Sequence, residues 1–296
     1  MKFIDLNNKY WQFAVLFLLA FIWGSSFILM KRGLETYSNY QVAALRIFIA
    51  GICLLPLALI NIRTLKKRWF DLAVVGFLGN TIPAFLFTTA QLYVSSSMAG
   101  ILNSLTPLFT LIAGLLFFSY KVAIMQIIGI IIGLFGATML LSNGSIVWDE
   151  NVLTYGNLII LATICYGINI NYVKKYLNDV NGIVIASLSF FITMPFVGII
   201  LLFSDFSSCI NNPSFASSTI YIIILGVFGS AFAVAMINIL IKYTSAVFSS
   251  SVTYIMPVFA LMWGLLDGEP FTFIQFLALS LILSGVYLVK NKIVKK

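Results

Sequence analysis

Arg46 is a lone basic residue inside the long apolar stretch Gln41–Ile60. A guanidinium held there has three uses. It can grip a carboxylate with its planar fork, brace a gate, or carry its charge outward along its stem. Among the other polar groups placed within apolar runs are amides and aromatic side chains, Trp23, Asn80, Asn103, Tyr166, Asn169 and Tyr254, beside several Ser and Thr hydroxyls. They offer hydrogen bonds and aromatic surface, and no acid or base that could run a reaction. The chain has no histidine, and Asp71, Asp267 and Glu269 stand near the ends of apolar runs. That excludes a histidine metal centre, a catalytic cluster and a proton relay through a deeply buried carboxylate. A phosphate-cradling Gly-x-x-x-x-Gly-Lys run is also missing, which excludes ATP hydrolysis. The expectation is a binding site with no cofactor, no metal and no enzymatic activity.

The elements that must position these groups are ten apolar stretches. They run Trp11–Met30, Gln41–Ile60, Phe70–Leu92, Met98–Phe118, Val122–Leu141, Tyr155–Val173, Gly182–Phe203, Ile220–Leu240, Val247–Leu266 and Phe271–Val289. Each is close to the roughly 20 residues a helix needs to cross a hydrocarbon core. Charged residues make up 9 % of the chain, against about 25 % in soluble domains. An all-α multi-pass membrane protein follows, with lipid as one partner.

Charge sets the expected orientation. Of 17 Lys and Arg, 14 fall on the side that ten crossings assign to both termini, while Lys31 and Arg32 fall on the other. Basic loops stay cytoplasmic, so both termini are expected inside the cell. The net charge of +8 is therefore loop anchoring, and nucleic acid is not a partner. The first stretch ends in Lys31-Arg32 without a small-residue cleavage site, so it is read as a span and not a leader. Cys53, Cys165 and Cys209 give no disulfide framework, and Asn143-Gly-Ser is read as a tight turn.

An internal repeat organises the stretches. At a shift of 150, Tyr93-Val-Ser-Ser-Ser meets Tyr243-Thr-Ser-Ala-Val, Leu105-Thr-Pro-Leu-Phe meets Ile255-Met-Pro-Val-Phe, and Gly114-Leu-Leu meets Gly264-Leu-Leu. At a shift of 143, Trp23-Gly24 meets Tyr166-Gly167 and Lys31-Arg32 meets Lys174-Lys175. The halves are residues 1–143 and 144–296, with five helices each. An odd number inverts the second half in the membrane, the architecture of carriers that expose one central cavity alternately to each side.

On these motifs the chain resembles the drug/metabolite transporter superfamily, in its ten-helix EamA-type branch. The resemblance spans essentially the whole chain and rests on Trp23-Gly-Ser-Ser-Phe, Leu45-Arg46, Leu105-Thr-Pro-Leu-Phe, Ile255-Met-Pro-Val-Phe, Gly268-Glu269 and Gly285-Val-Tyr-Leu. The family usually has Gly-Glu after both the fourth and ninth helices; here Ser119-Tyr120 stands at the first of these turns. The resemblance implies a basket-shaped fold around a central cavity and export of amino acids or other small metabolites from bacterial cells.

Substrate-cavity candidates are Trp23, Arg46, Asn80, Asn103, Tyr166, Asn169 and Tyr254. Asn80 and Asn103 serve equally well as bonds between helices. Ser25, Ser26, Thr106 and Thr253 are read as bonding their own helix carbonyls. Pro107 and Pro257, at matching places in the two halves, are the gating candidates, with static kinking as the other reading. Gly129, Gly133 and Gly136 form a small-residue stripe for helix contact. The reading is a secondary transporter in the bacterial inner membrane that exports a small solute such as an amino acid. Uptake of a small metabolite is the alternative within transport, and a lipid scramblase or assembly subunit the alternative outside it.

Overall fold

The structure, a computed structural model, describes residues 6–119, 123–142 and 150–290. Tyr120, Lys121, the Asn143-Gly-Ser turn, Asp149 and the basic ends at Lys2, Lys292, Lys295 and Lys296 lie outside them. Every regular element in the described residues is helical. Nine helices among them are long and apolar enough to cross a membrane, and a shorter apolar helix follows. We number them α1 (Lys9–Leu34), α2 (Asn39–Ile60), α3 (Ile62–Ala90), α4 (Ser96–Phe118), α5 (Ile124–Ser142), α6 (Glu150–Tyr176), α7 (Gly182–Leu202), α8 (Phe215–Tyr243), α9 (Ala246–Leu266) and α10 (Phe273–Lys290). The protein is an all-α, multi-pass membrane protein.

Several helices start a turn or so before the apolar runs suggest, because their first turns are polar. Ser38 and Gln41 form a reciprocal capping box at α2, Ser95 accepts from Met98 N at α4, and Ser245 accepts from Phe248 N at α9. Each cap satisfies backbone donors that the helix itself leaves open. The Ser/Asn-rich loop before α8 is folded rather than loose. It carries a short helix, Ser207–Ile210, and buries Cys209 against Gln41.

Four spans are interrupted at mid-length. In α3 and α8 the helix widens to an i→i+5 pattern over Phe77–Thr81 and Leu225–Phe232. In α4 the helix stops at Asn103 and restarts at Thr106; in α9 it stops at Ser250, makes a 3-10 turn over Ser251–Tyr254 and restarts at Met256. Pro107 and Pro257 each sit in the first turn of the restarted segment. There the missing N–H has no helical partner to lose, so these prolines begin helices rather than bend continuous ones. Carbonyls left over at the breaks bond to side-chain hydroxyls: Thr106 Oγ1 to Asn103 O at 2.7 Å, Ser251 Oγ to Phe248 O at 2.6 Å and Thr253 Oγ1 to Ser250 O at 2.9 Å. With no water in hydrocarbon, such partners are what allow a broken helix to persist.

Small residues let the broken spans approach their neighbours. A Cβ on Gly24 of α1 would lie 2.6 Å from Phe259 Cβ and 2.8 Å from Met256 O of α9. A Cβ on Gly167 of α6 would lie 2.7 Å from Phe109 C and Thr110 N of α4. The α1–α9 approach thus recurs as α6–α4 at the same sequence shifts. On one flank α5 packs along α10, where a Cβ on Gly136 would meet Ile282 Cγ1 at 2.9 Å and one on Gly285 would meet Gly133 N at 2.6 Å. The remaining eight spans surround the interior.

Candidate functional site

The interior holds a cavity with about 100 Å³ of free space, bounded by α1, α2, α3, α4, α6, α7, α8 and α9. That is room for several waters or a small solute. Six of the seven sequence candidates line it: Trp23, Arg46, Asn80, Asn103, Tyr166 and Asn169. Tyr254 does not; its hydroxyl is buried elsewhere without a hydrogen-bond partner. The lining runs from Met30, next to Lys31, to Ile241, Ser249 and Ser250 toward the opposite end of the bundle.

The widened turns explain how several of these groups reach the cavity. In α8 the N–H of Ala233 donates to Phe228 O. Gly229 O, which a regular helix would use for that bond, instead accepts from Trp23 Nε1 at 2.9 Å. The same segment presents Ser230 Oγ to Arg46 Nε at 3.2 Å. Widened turns of this kind recur at functional sites because they re-aim side chains and free carbonyls. The counterpart in α3 brings Gly79 so close to α6 that an added Cβ would stand 2.5 Å from Asn169 Nδ2. In α8 a Cβ on Gly229 would stand 2.8 Å from Ser26 Oγ of α1.

Asn80 and Asn103 combine the two readings that the sequence left open. Asn80 Nδ2 reaches Ser189 Oγ of α7 at 3.4 Å, Asn103 Nδ2 reaches Met256 Sδ of α9 at 3.5 Å, and both side chains also line the cavity. Ser25 and Ser26 bond Phe21 O at 2.7 Å and Ile22 O at 2.9 Å. Thr106 and Thr253, which also bond their own backbone, line the cavity as well. Tyr166 stacks on Phe87, ring centroids 6.1 Å apart. Arg46 faces the cavity, with Nη1 3.3 Å from Met30 Sδ in addition to the Ser230 contact.

Sequence reasoning missed Asn238 of α8 and Phe87 of α3. Asn238 is 3 % exposed, lines the cavity, and its Nδ2 has no hydrogen-bond partner. A signal was present in its type: an Asn in an apolar run, like Asn80 and Asn103. Phe87 gave none, since lipid-facing phenylalanines are equally common in this chain. Among the described residues no group of three His, Cys, Asp or Glu is placed to hold a metal.

The chain matches the EamA-like transporter family twice, over residues 11–142 and 155–290. It is 28 % identical over 286 residues to an uncharacterized inner membrane transporter of Escherichia coli, YedA, covering 94 % of this chain and 90 % of that one. An uncharacterized transporter of Archaeoglobus fulgidus is 26 % identical over 287 residues, covering 95 % and 99 %. A solved crystal structure superimposes with a TM-score of 0.66 at 16 % identity, over 94 % of this chain and 95 % of that one, and so shares the fold. Taken with the broken spans around a small interior cavity, these matches place the chain in the EamA-like transporter family, as a membrane protein that transports small molecules.

Proposed function

We propose that this chain is a secondary carrier of the bacterial inner membrane that exports a small, partly apolar metabolite such as an amino acid. Its two halves, residues 1–143 and 144–296, act as inverted five-helix repeats that expose the cavity alternately to each side. The carrying observation is that the cavity is lined from both halves and bounded by the interrupted spans α3, α4, α8 and α9. The paired close approaches of Gly24 and Gly167 support the repeat. The breaks that Pro107 and Pro257 close, at the restart of the two helices, serve as the gating points on which each half rocks. The inner-membrane location is supported by the name of the E. coli relative. Cytoplasmic termini are supported by the basic residues around Arg63–Arg68, Lys174 and Lys242.

The lining favours a small solute over a nucleotide-linked one. It offers aromatic and aliphatic surface from Trp23, Phe87, Phe190 and Ile237, several amides and a single cation. Proteoliposomes loaded with a metabolite mixture test the reading. Efflux down a gradient is expected from the wild type, with a loss of tenfold or more in Trp23→Ala. If no solute class moves in either direction, the carrier assignment fails. Orientation is tested separately by cysteines at Ser208 and Lys67 in a cysteine-free background: an impermeant reagent added outside cells should label the first and spare the second.

A further inference from the structure

We infer that the short helical segment over residues 62–67, which leads into the membrane-spanning part of α3, is a binding surface for anionic phospholipid headgroups, gripped by Arg63, Lys66 and Lys67. This goes beyond the carrier reading and does not depend on which solute moves.

The backbone sets this segment apart. Arg68 leaves the helical region, at φ −128° and ψ 23°, so residues 62–67 are kinked against the rest of α3. Asn61 joins the segment directly to α2, its N–H closing that helix on Ala58 O at 3.1 Å and its carbonyl accepting from Thr64 N at 2.9 Å. Arg68 pins the kink. Its Nη2 donates to Asp179 Oδ2 at 2.8 Å in the α6–α7 turn, and its Nη1 stands 3.5 Å from Asp71 Oδ2. The other oxygen of Asp71 accepts from Tyr172 Oη at 2.8 Å, which ties the kink to α6 as well. Within the segment the side chains divide by face. Arg63, Lys66 and Lys67, at i, i+3 and i+4, share one exposed face. Ile62 and Leu65 are half-buried, Leu65 against the main core.

Charge and depth name the partner independently. The side chains of Arg63, Lys66 and Lys67 make no hydrogen bond or ion pair with any described residue, and the two described acids at this end of the bundle, Asp71 and Asp179, are engaged by Arg68. The described residues therefore hold three cations on one face with no counter-charge. Depth comes from Trp69 and Phe70, the first residues after the kink. They are 62 % and 60 % exposed, with their rings edge to face at 5.8 Å. Exposed aromatic rings at the end of an apolar span sit at headgroup level, which puts the cations one turn earlier in the phosphate layer. A headgroup with a net negative charge completes such a cluster; a zwitterionic one brings its own ammonium and does not. The α7–α8 connection, the counterpart five helices on, has Asp205 and no Lys or Arg over residues 203–214. The basic segment thus serves one face of the membrane only.

The experiment follows thermal unfolding of the full chain in a neutral detergent as phosphatidylglycerol, phosphatidylethanolamine or phosphatidylcholine is added in mixed micelles. Phosphatidylglycerol is expected to stabilise the wild type at a mole fraction about fivefold lower than either zwitterionic lipid. Sodium chloride should shrink that preference by screening. This comparison uses only wild-type protein, so it does not depend on any variant folding. Arg63→Gln, Lys66→Gln and Lys67→Gln combined should abolish the preference. Removing as much charge at the same end, by Lys9→Gln, Lys175→Gln and Lys242→Gln combined, should leave it in place. The inference is overturned by no preference in the wild type, by a preference that survives the first triple variant, or by one lost equally in the second. Saturable stabilisation by poly-glutamate as strong as that by phosphatidylglycerol also overturns it, and assigns the face to an acidic protein. None of these arms reads solute efflux, so this inference and the carrier reading fail separately.

Discussion

The two ends of the bundle are tied by different chemistry. At one end Glu269, in the turn between α9 and α10, is 8 % exposed and accepts from Lys31 Nζ at 2.8 Å, Ser96 N and Ser97 N at 3.0 Å each, and Ser97 Oγ at 2.7 Å. Lys31 also meets Asp267 at 2.6 Å, and Arg32 bridges Asp267 and Glu35. This joins the end of α1, the start of α4 and the α9–α10 turn directly above Met30 of the cavity lining. At the other end Lys174, which corresponds to Lys31 at a shift of 143, pairs with no carboxylate among the described residues. It donates to Ile241 O at 3.0 Å and Lys242 O at 3.1 Å, at the end of α8. Two lysines in equivalent places thus make a buried charged latch in one case and a backbone cap in the other. Parting the latched end would separate a buried carboxylate from charge-assisted partners, a loss that has no counterpart at the Lys174 end.

The largest expected effect comes from breaking the latch. Glu269→Gln should destabilise the protein by about 2 kcal/mol, in the range for hydrogen bonds to a charged group, discounted for the partly exposed Lys31. A cysteine at Met30 should at the same time react faster from the Lys31 end. Burial alone would push the Glu269 carboxyl up, but the hydrogen bonds from Lys31, Ser97 and Ser96 outweigh it and hold it below its ordinary value. The stabilisation is therefore present above the unfolded carboxylate pKa, near about 4.3, and is lost as pH falls through the lower folded value. Unfolding followed against pH should show this loss in the wild type and not in Glu269→Gln. An unchanged pH profile in the variant would remove Glu269 as its source.

Lys174→Gln probes the other end and should cost less, about 0.5 kcal/mol as for a cation at a helix C-terminus. Thermal unfolding of the two variants side by side is the measurement; a Lys174 effect equal to that of Glu269 would abolish the asymmetry. Effects of similar size to that of Lys174 concern the turns after α4 and α9. Ser119 and Gly268 both adopt left-handed backbone, at φ 59° and φ 78°. Nothing lies within 4 Å of a Cβ placed on Gly268, so Gly268→Ala meets only backbone strain and should destabilise by about 1 kcal/mol. Ser119→Gly should stabilise by about 0.5 kcal/mol, the strain relieved less the added freedom of the unfolded chain.

The matched turn shows where legibility stopped. Gly268-Glu269 against Ser119-Tyr120 was visible as a divergence between halves. That Glu269 bonds Lys31, 238 positions away, was not. The paired positions Asn80 and Ser230 were readable from the shift, and both line the cavity. That both occupy widened turns was invisible, because an i→i+5 turn has no distinct composition inside an apolar run.

The sequence by itself determined the all-α multi-pass class, the approximate extent of the apolar spans, the uneven distribution of basic residues along the chain, and the chemical poverty of the interior: amides, hydroxyls, aromatics and one arginine. These follow from composition, because hydrocarbon admits only apolar helices and taxes every polar group wherever it sits. Which polar groups share the cavity was decided by tertiary structure. Tyr254 and Asn238 are equally polar intrusions in apolar spans, yet Asn238 lines the cavity and Tyr254 does not. Spans that are apolar on the lipid side and on the packed side carry no periodic signal to fix their rotation. Only the close approaches at residues such as Gly24, Gly79, Gly167 and Gly229 set the angle at which each helix presents its few polar side chains inward.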